Sequence, residues 1–390
     1  MNLEYGLSSD TWDENELAAL QRVIASGRYT MGEEVKKFEK EFAEFMGVKH
    51  AIMTNSGSSA NLLMLTALKL HPKFDKTKTE VIVPAVSWST TYFPVHQNGF
   101  KLKFVDINPN SFNIDLEAVA NAITKDTAAV LAVNLLGNPA HLHFLRNLCE
   151  QHGVVLLEDN CESFGAVLTG DQCGTIGEMG TFSFFFSHHL QTMEGGMVVT
   201  NDDSVATYLK PLRAHGWIRD LEDENELCNK TGDPFEDSFK FVLPGYCVRP
   251  LEMSGAVGQE QLKKWPKMLE VRRNNAKVAQ TFLQGENFVL QHETGESSWF
   301  GFGIKLINNL KGRRNEVIEL LHEHGVETRP IVTGNFLRNP VIQHLNHVPC
   351  TPEEFIYADH LHYDGFFIGN DCVDLTDKII AVSKLIKGLQ

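Results

Sequence analysis

The sequence predicts an α/β fold: a three-layer α/β/α large domain built on a mostly parallel sheet over residues 1–265, N-terminal helices included, then a smaller α+β domain over residues 266–390. Three observations carry that prediction. Short apolar runs alternate with helix-patterned segments, the rhythm of βαβ units whose crossovers cover both faces of a parallel sheet. The runs are rich in β-branched and other apolar residues at successive positions, as in strands buried on both faces. No repeat, low-complexity tract or obvious linker interrupts the pattern.

Taken in order, DENELAALQRVIASG puts Leu17, Leu20, Val23 and Ile24 on one helical face that Gly27 closes, and residues 33–46 form a second helix. EVIVP (80–84), KLKFVD (101–106), AAVLAVN (128–134) and VVLLEDN (154–160) are strand runs, followed by TFSFFF and GMVVT. A helical region over about 250–285 leads into the smaller part, with FGIKL, VETRPIV and FFIGN as its strands.

At 390 residues, 43% hydrophobic and 22% charged, the chain has the composition of a soluble globular protein of about two to three domains. A net charge of −15 argues against a nucleic-acid partner. The acidic start MNLEYGLSSDTWDENE lacks the basic-then-apolar order of a signal peptide, and no apolar run has the length of a membrane span. The expectation is a cytoplasmic protein without a membrane partner. Seven cysteines, odd in number and without C-x-x-C spacing, suit neither a disulfide framework nor a zinc ribbon.

Ligands of such sheets sit at the carboxyl ends of the strands. TNSGSSANLLML is a Ser/Gly turn opening a helix, so the N–H groups at Gly57 and Ser58 suit a phosphate; a plain N-cap is the alternative. Trp88, just past a strand, either stacks on an aromatic cofactor or belongs to the core. VVLLEDN ends an apolar strand in Glu158 and Asp159, and a carboxylate so placed needs a partner. A protonated pyridine nitrogen is one such partner for Asp159, with capping of the next turn as the other reading. Ser183, alternating with Phe182 and Phe184, is placed to share the phosphate.

These parts stand in the order of a pyridoxal-phosphate site. SGRYTMG, NSGSSANL, the Val-Pro-Ala-x-x-Trp segment, GNPA, EDNCESFGA, TFSFFFSHH…EGG and GYCVRPLEMSGAVGQEQL together resemble the sugar-modifying branch of the fold-type I aminotransferases over essentially the whole chain. The resemblance implies the mixed, mostly parallel sheet of that fold, and pyridoxal 5'-phosphate or pyridoxamine 5'-phosphate as cofactor. It implies Glu162 near the cofactor's ring hydroxyl, where relatives have Gln, and His215 and Arg329 toward the substrate. Cys247 stands where relatives have an Asn that reaches the partner subunit's phosphate; Arg249 is the candidate for an anionic group, or a surface ion pair.

The departure is at position 188. There the family carries the lysine that tethers the cofactor; here it is His188, and no lysine occurs between Lys125 and Lys210. An imidazole serves as a base but not as a tether, so the cofactor is expected to bind without a covalent link. An untethered amine form is free to condense with a ketosugar. Proton removal by His188 then expels a neighbouring hydroxyl, giving dehydration in place of transamination. His189 is expected to be structural. The histidine-bearing members of this branch imply a GDP-linked 4-keto-6-deoxy sugar as substrate, L-glutamate as amine donor and a homodimer with sites at the subunit interface. Iron–sulfur relatives need four thiolates, whereas RDLEDENELCNKTGD holds only Cys228, so no iron–sulfur cluster is expected. A metal site on His188, His189 and Glu194 lacks further spaced ligands. A different sugar nucleotide, or a cofactor-binding regulator without catalysis, remain the alternative readings.

Overall fold

The computed structural model describes residues 2–389. Its large domain holds a seven-stranded sheet. Five strands come first in the chain: β1 (His50–Thr54), β2 (Glu80–Pro84), β3 (Lys101–Val105), β4 (Thr127–Val133) and β5 (Val155–Asp159). The strands Met179–Ser183 and Gly196–Thr200 complete it. Across the sheet the order is β1, Gly196–Thr200, Met179–Ser183, β5, β4, β2, β3. Every pairing is parallel except those of Gly196–Thr200, which runs against both its neighbours. The inner parallel strands are mostly apolar because helices cover both faces; all seven residues of β4 are buried, whereas the edge strand β3 carries Lys101 and Lys103. Pairing of Val133 with Asp159, and of Asp159 with Thr181, brings the carboxyl ends of three strands level.

The aromatic run TFSFFF stops pairing at Ser183, and Phe185 and Phe186 lie outside the sheet, 36% and 58% exposed. The edge strand β1 has no counterpart in the sequence reading.

Helix α1 (Glu14–Ser26) starts on an Asp13–Glu16 capping box and ends at Gly27 with φ 68°. Its buried face corrects the expected one. Glu16, Ala19 and Val23 point inward, while Leu17 and Ile24 are 54% and 55% exposed. The register is set by a polar anchor: Glu16, fully buried, accepts from Gln261 Nε2 at 2.8 Å and pairs with Lys264 Nζ at 2.6 Å. Ala19 and Ala256 then form the apolar contact with the long helix Glu252–Phe282.

That long helix serves two cores. Leu262, Trp265 and Met268 pack in the large domain; Ala276 and Ala279 pack with Phe302, Ile304, Phe366 and Ile368 in the second. It runs unbroken across residues 265 and 266. The small domain's sheet is antiparallel, in the order Phe288–Leu290, Gly301–Leu306, Gly365–Gly369, Thr328–Arg329. Of VETRPIV, Thr328–Arg329 joins this sheet and Val326 bridges Tyr5; Pro330 then ends the pairing, since it has no N–H for the ladder. Tyr5 also belongs to this core, its hydroxyl donating to Gly369 O at 2.8 Å. No described helix is long and apolar enough to cross a membrane.

Helix α2 (Glu33–Met46) begins at Gly32, which has no side chain to cap it. The buried Glu252 carboxylate does so instead, accepting from the N–H groups of Gly32 (2.6 Å), Glu34 (2.7 Å) and Val35 (3.2 Å). Glu252→Ala leaves these donors without an acceptor and is expected to cost about 2–3 kcal/mol. Urea unfolding checks this; an unchanged midpoint would show that the carboxylate does not anchor the helix.

Candidate active site

The carboxyl ends of β1, β2, β4, β5 and Met179–Ser183 open into one cavity of about 540 Å³, which the small domain closes with Phe300, Arg329 and Phe367. Gly57, Ser58, Trp88, Asp159, Glu162, Ser183, His188 and Arg329 all line it. His215 and Arg249 do not. They sit in a separate surface group, His215 with its ring 5.0 Å from that of Trp217 and Arg249 with its guanidinium 5.0 Å from the same indole.

Helix α3 (Gly57–Leu70) points its N-terminus at the cavity. Ser56 is the actual cap, accepting from Ser59 N–H at 3.1 Å, which leaves the exposed Ser58 hydroxyl to donate to Thr90 Oγ1 at 2.9 Å. A Cβ at position 57 would lie 2.6 Å from Ser183 Cβ and 2.8 Å from Cys161 Sγ, so only glycine lets the turn approach the strand end. Together they make an anion cradle of helix N–H groups and serine hydroxyls. Trp88 starts helix α4 (Ser89–Gln97) and is 57% exposed on the cavity wall, which removes the core reading.

One turn into α3, Asn61 donates from Nδ2 to Asp159 Oδ2 at 2.8 Å, and Thr91 Oγ1 donates to the same oxygen at 2.8 Å. Each donor is itself fixed. Thr181 Oγ1 donates to Asn61 Oδ1 at 2.6 Å, which sets the amide's orientation. Ser87 Oγ lies 2.8 Å from Thr91 Oγ1, whose own proton is used on Asp159. Oδ1 accepts Cys161 N–H at 3.2 Å and keeps a lone pair for a ligand. Asp159 therefore caps the turn and is also free to receive a cationic ring N–H. The adjacent Glu158 points the other way, accepting from the N–H groups of Gly174, Ile176 and Gly177 at 2.6–2.8 Å. Burial raises its pKa and these bonds oppose the shift.

Glu162 Oε2 accepts Leu136 N–H at 2.9 Å. Burial, with the nearby Asp159 charge adding to it, pushes the carboxyl up to about 7. His188 is the opposite case: burial lowers its pKa to about 4, and its Nδ1 is shut off from solvent without a hydrogen-bond partner. His189 is turned away from the cavity, 1% exposed, with its ring 5.1 Å from that of Trp265 and 5.6 Å from that of Phe300. Its lowered pKa comes from burial first, then from Arg272 and His188.

The sequence reading missed Asn61, Thr91 and Phe300. Asn61 follows Gly57 by one helical turn, a spacing visible in NSGSSANL; nothing local marks the other two.

The cavity suits a pyridine phosphate: an anion cradle, an exposed indole, an aimed carboxylate, and no lysine on its lining. Comparison with known proteins agrees. Residues 10–368 match the profile of the DegT/DnrJ/EryC1/StrS aminotransferase family, and the chain belongs to that family. It is 50% identical over 390 residues to the GDP-4-keto-6-deoxy-D-mannose 3-dehydratase of Yersinia pseudotuberculosis, covering 99% of this chain and 98% of that one. The Escherichia coli GDP-4-keto-6-deoxy-D-mannose 3-dehydratase with bound hydrated PLP superposes with TM-score 0.94 at 47% identity, covering 99% of this chain and 100% of that one. A GDP-4-keto-6-deoxymannose 3-dehydratase structure with a trapped PLP–glutamate geminal diamine superposes equally well, TM-score 0.94 at 47% identity, covering 98% of this chain and 99% of that one.

A carboxyl whose pKa is raised on folding stabilises the protein fully below its unfolded value of 4.5, and that contribution is lost as pH rises through about 7. Glu162→Gln is therefore expected to stabilise the cofactor-free protein at pH 8 by on the order of 2 kcal/mol relative to its effect at pH 4. Urea midpoints at both pH values check this; equal shifts would mean that Glu162 carries no such penalty.

Proposed function

We propose that this chain is a sugar-nucleotide 3-dehydratase. It removes the C3 hydroxyl of a GDP-linked 4-keto-6-deoxy sugar on pyridoxamine phosphate, and glutamate restores the amine. The observation that carries the reading is His188 in the position of the family's lysine, inside a cavity otherwise equipped for the cofactor. The similarity to proteins of that name supports the substrate.

When bound, the cofactor supplies an amine that condenses with the ketone and a ring that accepts an electron pair. The protein does the rest. The α3 N-terminus, Ser58 and Ser183 hold the phosphate, Trp88 covers the ring, and Asp159 Oδ1 holds the ring nitrogen's proton. His188 is neutral at physiological pH, so it can accept a proton at Nε2, the nitrogen not shut away from the cavity. Glu162, half protonated near neutrality, is suited either to the ring hydroxyl or to giving a proton to the departing oxygen. Arg329, exposed on the small-domain wall, is placed for an anionic part of the substrate. The reading includes a homodimer with sites at the subunit interface and a location in the cytoplasm. His215 and Arg249, away from this cavity, fit that reading only by acting across the interface.

His188→Asn is expected to lose about 10²–10⁴-fold in rate while still binding cofactor. His189→Asn is expected to keep most activity at some cost in stability. Steady-state rates and cofactor absorbance check both, and a near-normal rate in His188→Asn would remove the assigned base.

The reaction balances without an outside reductant. The sugar gains two electrons at C3, the cofactor amine becomes aldehyde, and glutamate reverses that change. Each turnover should consume one glutamate and yield one 2-oxoglutarate, one ammonia and one 3-deoxy ketosugar. The test is metal-free enzyme with cofactor, glutamate and a GDP-4-keto-6-deoxyhexose, read by sugar mass and ammonia release. Nitrogen retained on the sugar would mean aminotransfer, and a required electron donor would mean an iron–sulfur route.

A further inference from the structure

The cavity wall beside His188 rests on two residues in backbone conformations that side chains disfavour. Leu136 (φ 54°) and Trp299 (φ 49°) both lie in the left-handed region, where a bulky residue persists only if its surroundings hold it. Here they do. Leu136 O accepts Phe300 N–H at 2.9 Å, and Gly137 O accepts Ser298 N–H at 3.0 Å and Ser297 Oγ at 2.7 Å. Trp299 O accepts Asn370 Nδ2 at 2.9 Å and Arg272 Nη1 at 3.3 Å. The result is a fixed direction for Phe300, whose ring stands at 70° to the His188 imidazole, 5.2 Å away. Phe185 stands on the imidazole at 6.0 Å, and His188's side chain makes no hydrogen bond among the described residues that would orient it.

We propose that Phe300 is a positioning residue for His188: held by the strained Leu136–Trp299 frame, its ring sets the tilt of the imidazole and keeps water from Nδ1. The inference rests on His188 as the base. Leu136 adds a second link, since its N–H holds Glu162 while its carbonyl holds Phe300, so one residue fixes the wall relative to both titratable groups. The other titratable and charged groups around the imidazole are Asp159, Cys161, Glu162, Glu194 and Arg329 on the cavity, with His189 and Arg272 behind it. Truncating Phe300 removes none of them, so a changed titration reports the wall itself. Burial is the cause that lowers the His188 pKa to about 4, and the ring is part of that burial.

The test follows His188 by NMR in the cofactor-free full-length protein, its imidazole signal assigned by loss in His188→Asn. The expected result is a midpoint about 1–2 pH units higher in Phe300→Ala and Phe300→Leu, toward the ordinary histidine value, with Phe300→Tyr restoring the wild-type titration. In the loaded enzyme, kcat of Phe300→Ala should fall about tenfold with KM for the sugar nucleotide little changed, and Phe300→Tyr should recover it. Unchanged His188 titration in both Phe300→Ala and Phe300→Leu overturns the proposal, whatever happens to activity. A fully active His188→Asn overturns instead the reading of His188 as base, so the two failures are told apart.

Discussion

A carboxylate at the end of a buried apolar strand costs several kcal/mol unless donors meet it. Asp159 meets three: Asn61, Thr91 and Cys161 N–H. Each comes from a different element, α3, α4 and the turn after β5. Satisfying this one group therefore fixes three strand-end segments relative to one another. Because Asn61 lies one turn from Gly57, the same bond that anchors Asp159 also sets the distance from the carboxylate to the N-terminus of α3. Both donors converge on Oδ2, which decides that Oδ1 is the oxygen left for the ligand.

Most of the large sheet was legible because its inner strands are buried on both faces and so read as apolar runs; EVIVP and GMVVT coincide with strands to the residue. β1 escaped because HAIMT opens on a histidine and runs straight into a Ser/Gly turn, with few β-branched residues between. The inward face of α1 was misjudged because hydrophobicity was taken as the measure of burial, whereas Glu16 with Lys264 and Gln261 sets that helix's rotation. Those partners lie more than two hundred residues away in sequence, beyond the reach of any local pattern.

At the site, residues whose chemistry follows from type and strand-end position were readable: Asp159, Gly57, Trp88 and the histidine in place of lysine. Residues that act by holding others were not. Thr91 and Phe300 are ordinary in their local sequence and gain meaning only when the fold sets one against Asp159 and the other against His188. His215 and Arg249 looked eligible by motif, yet the chain folds them into a surface group around Trp217.

The lysine-free lining has a consequence for how the protein holds its cofactor. A covalent tether keeps a cofactor in place whatever its concentration outside. Here occupancy obeys mass action instead, and any ligand that binds only the folded state adds stability as RT ln(1 + [L]/Kd). The loaded fraction, and with it the chain's resistance to unfolding, thus follows the surrounding supply of the vitamin-derived phosphate. Starvation for that vitamin would empty this protein before it emptied a lysine-tethered relative of equal non-covalent affinity.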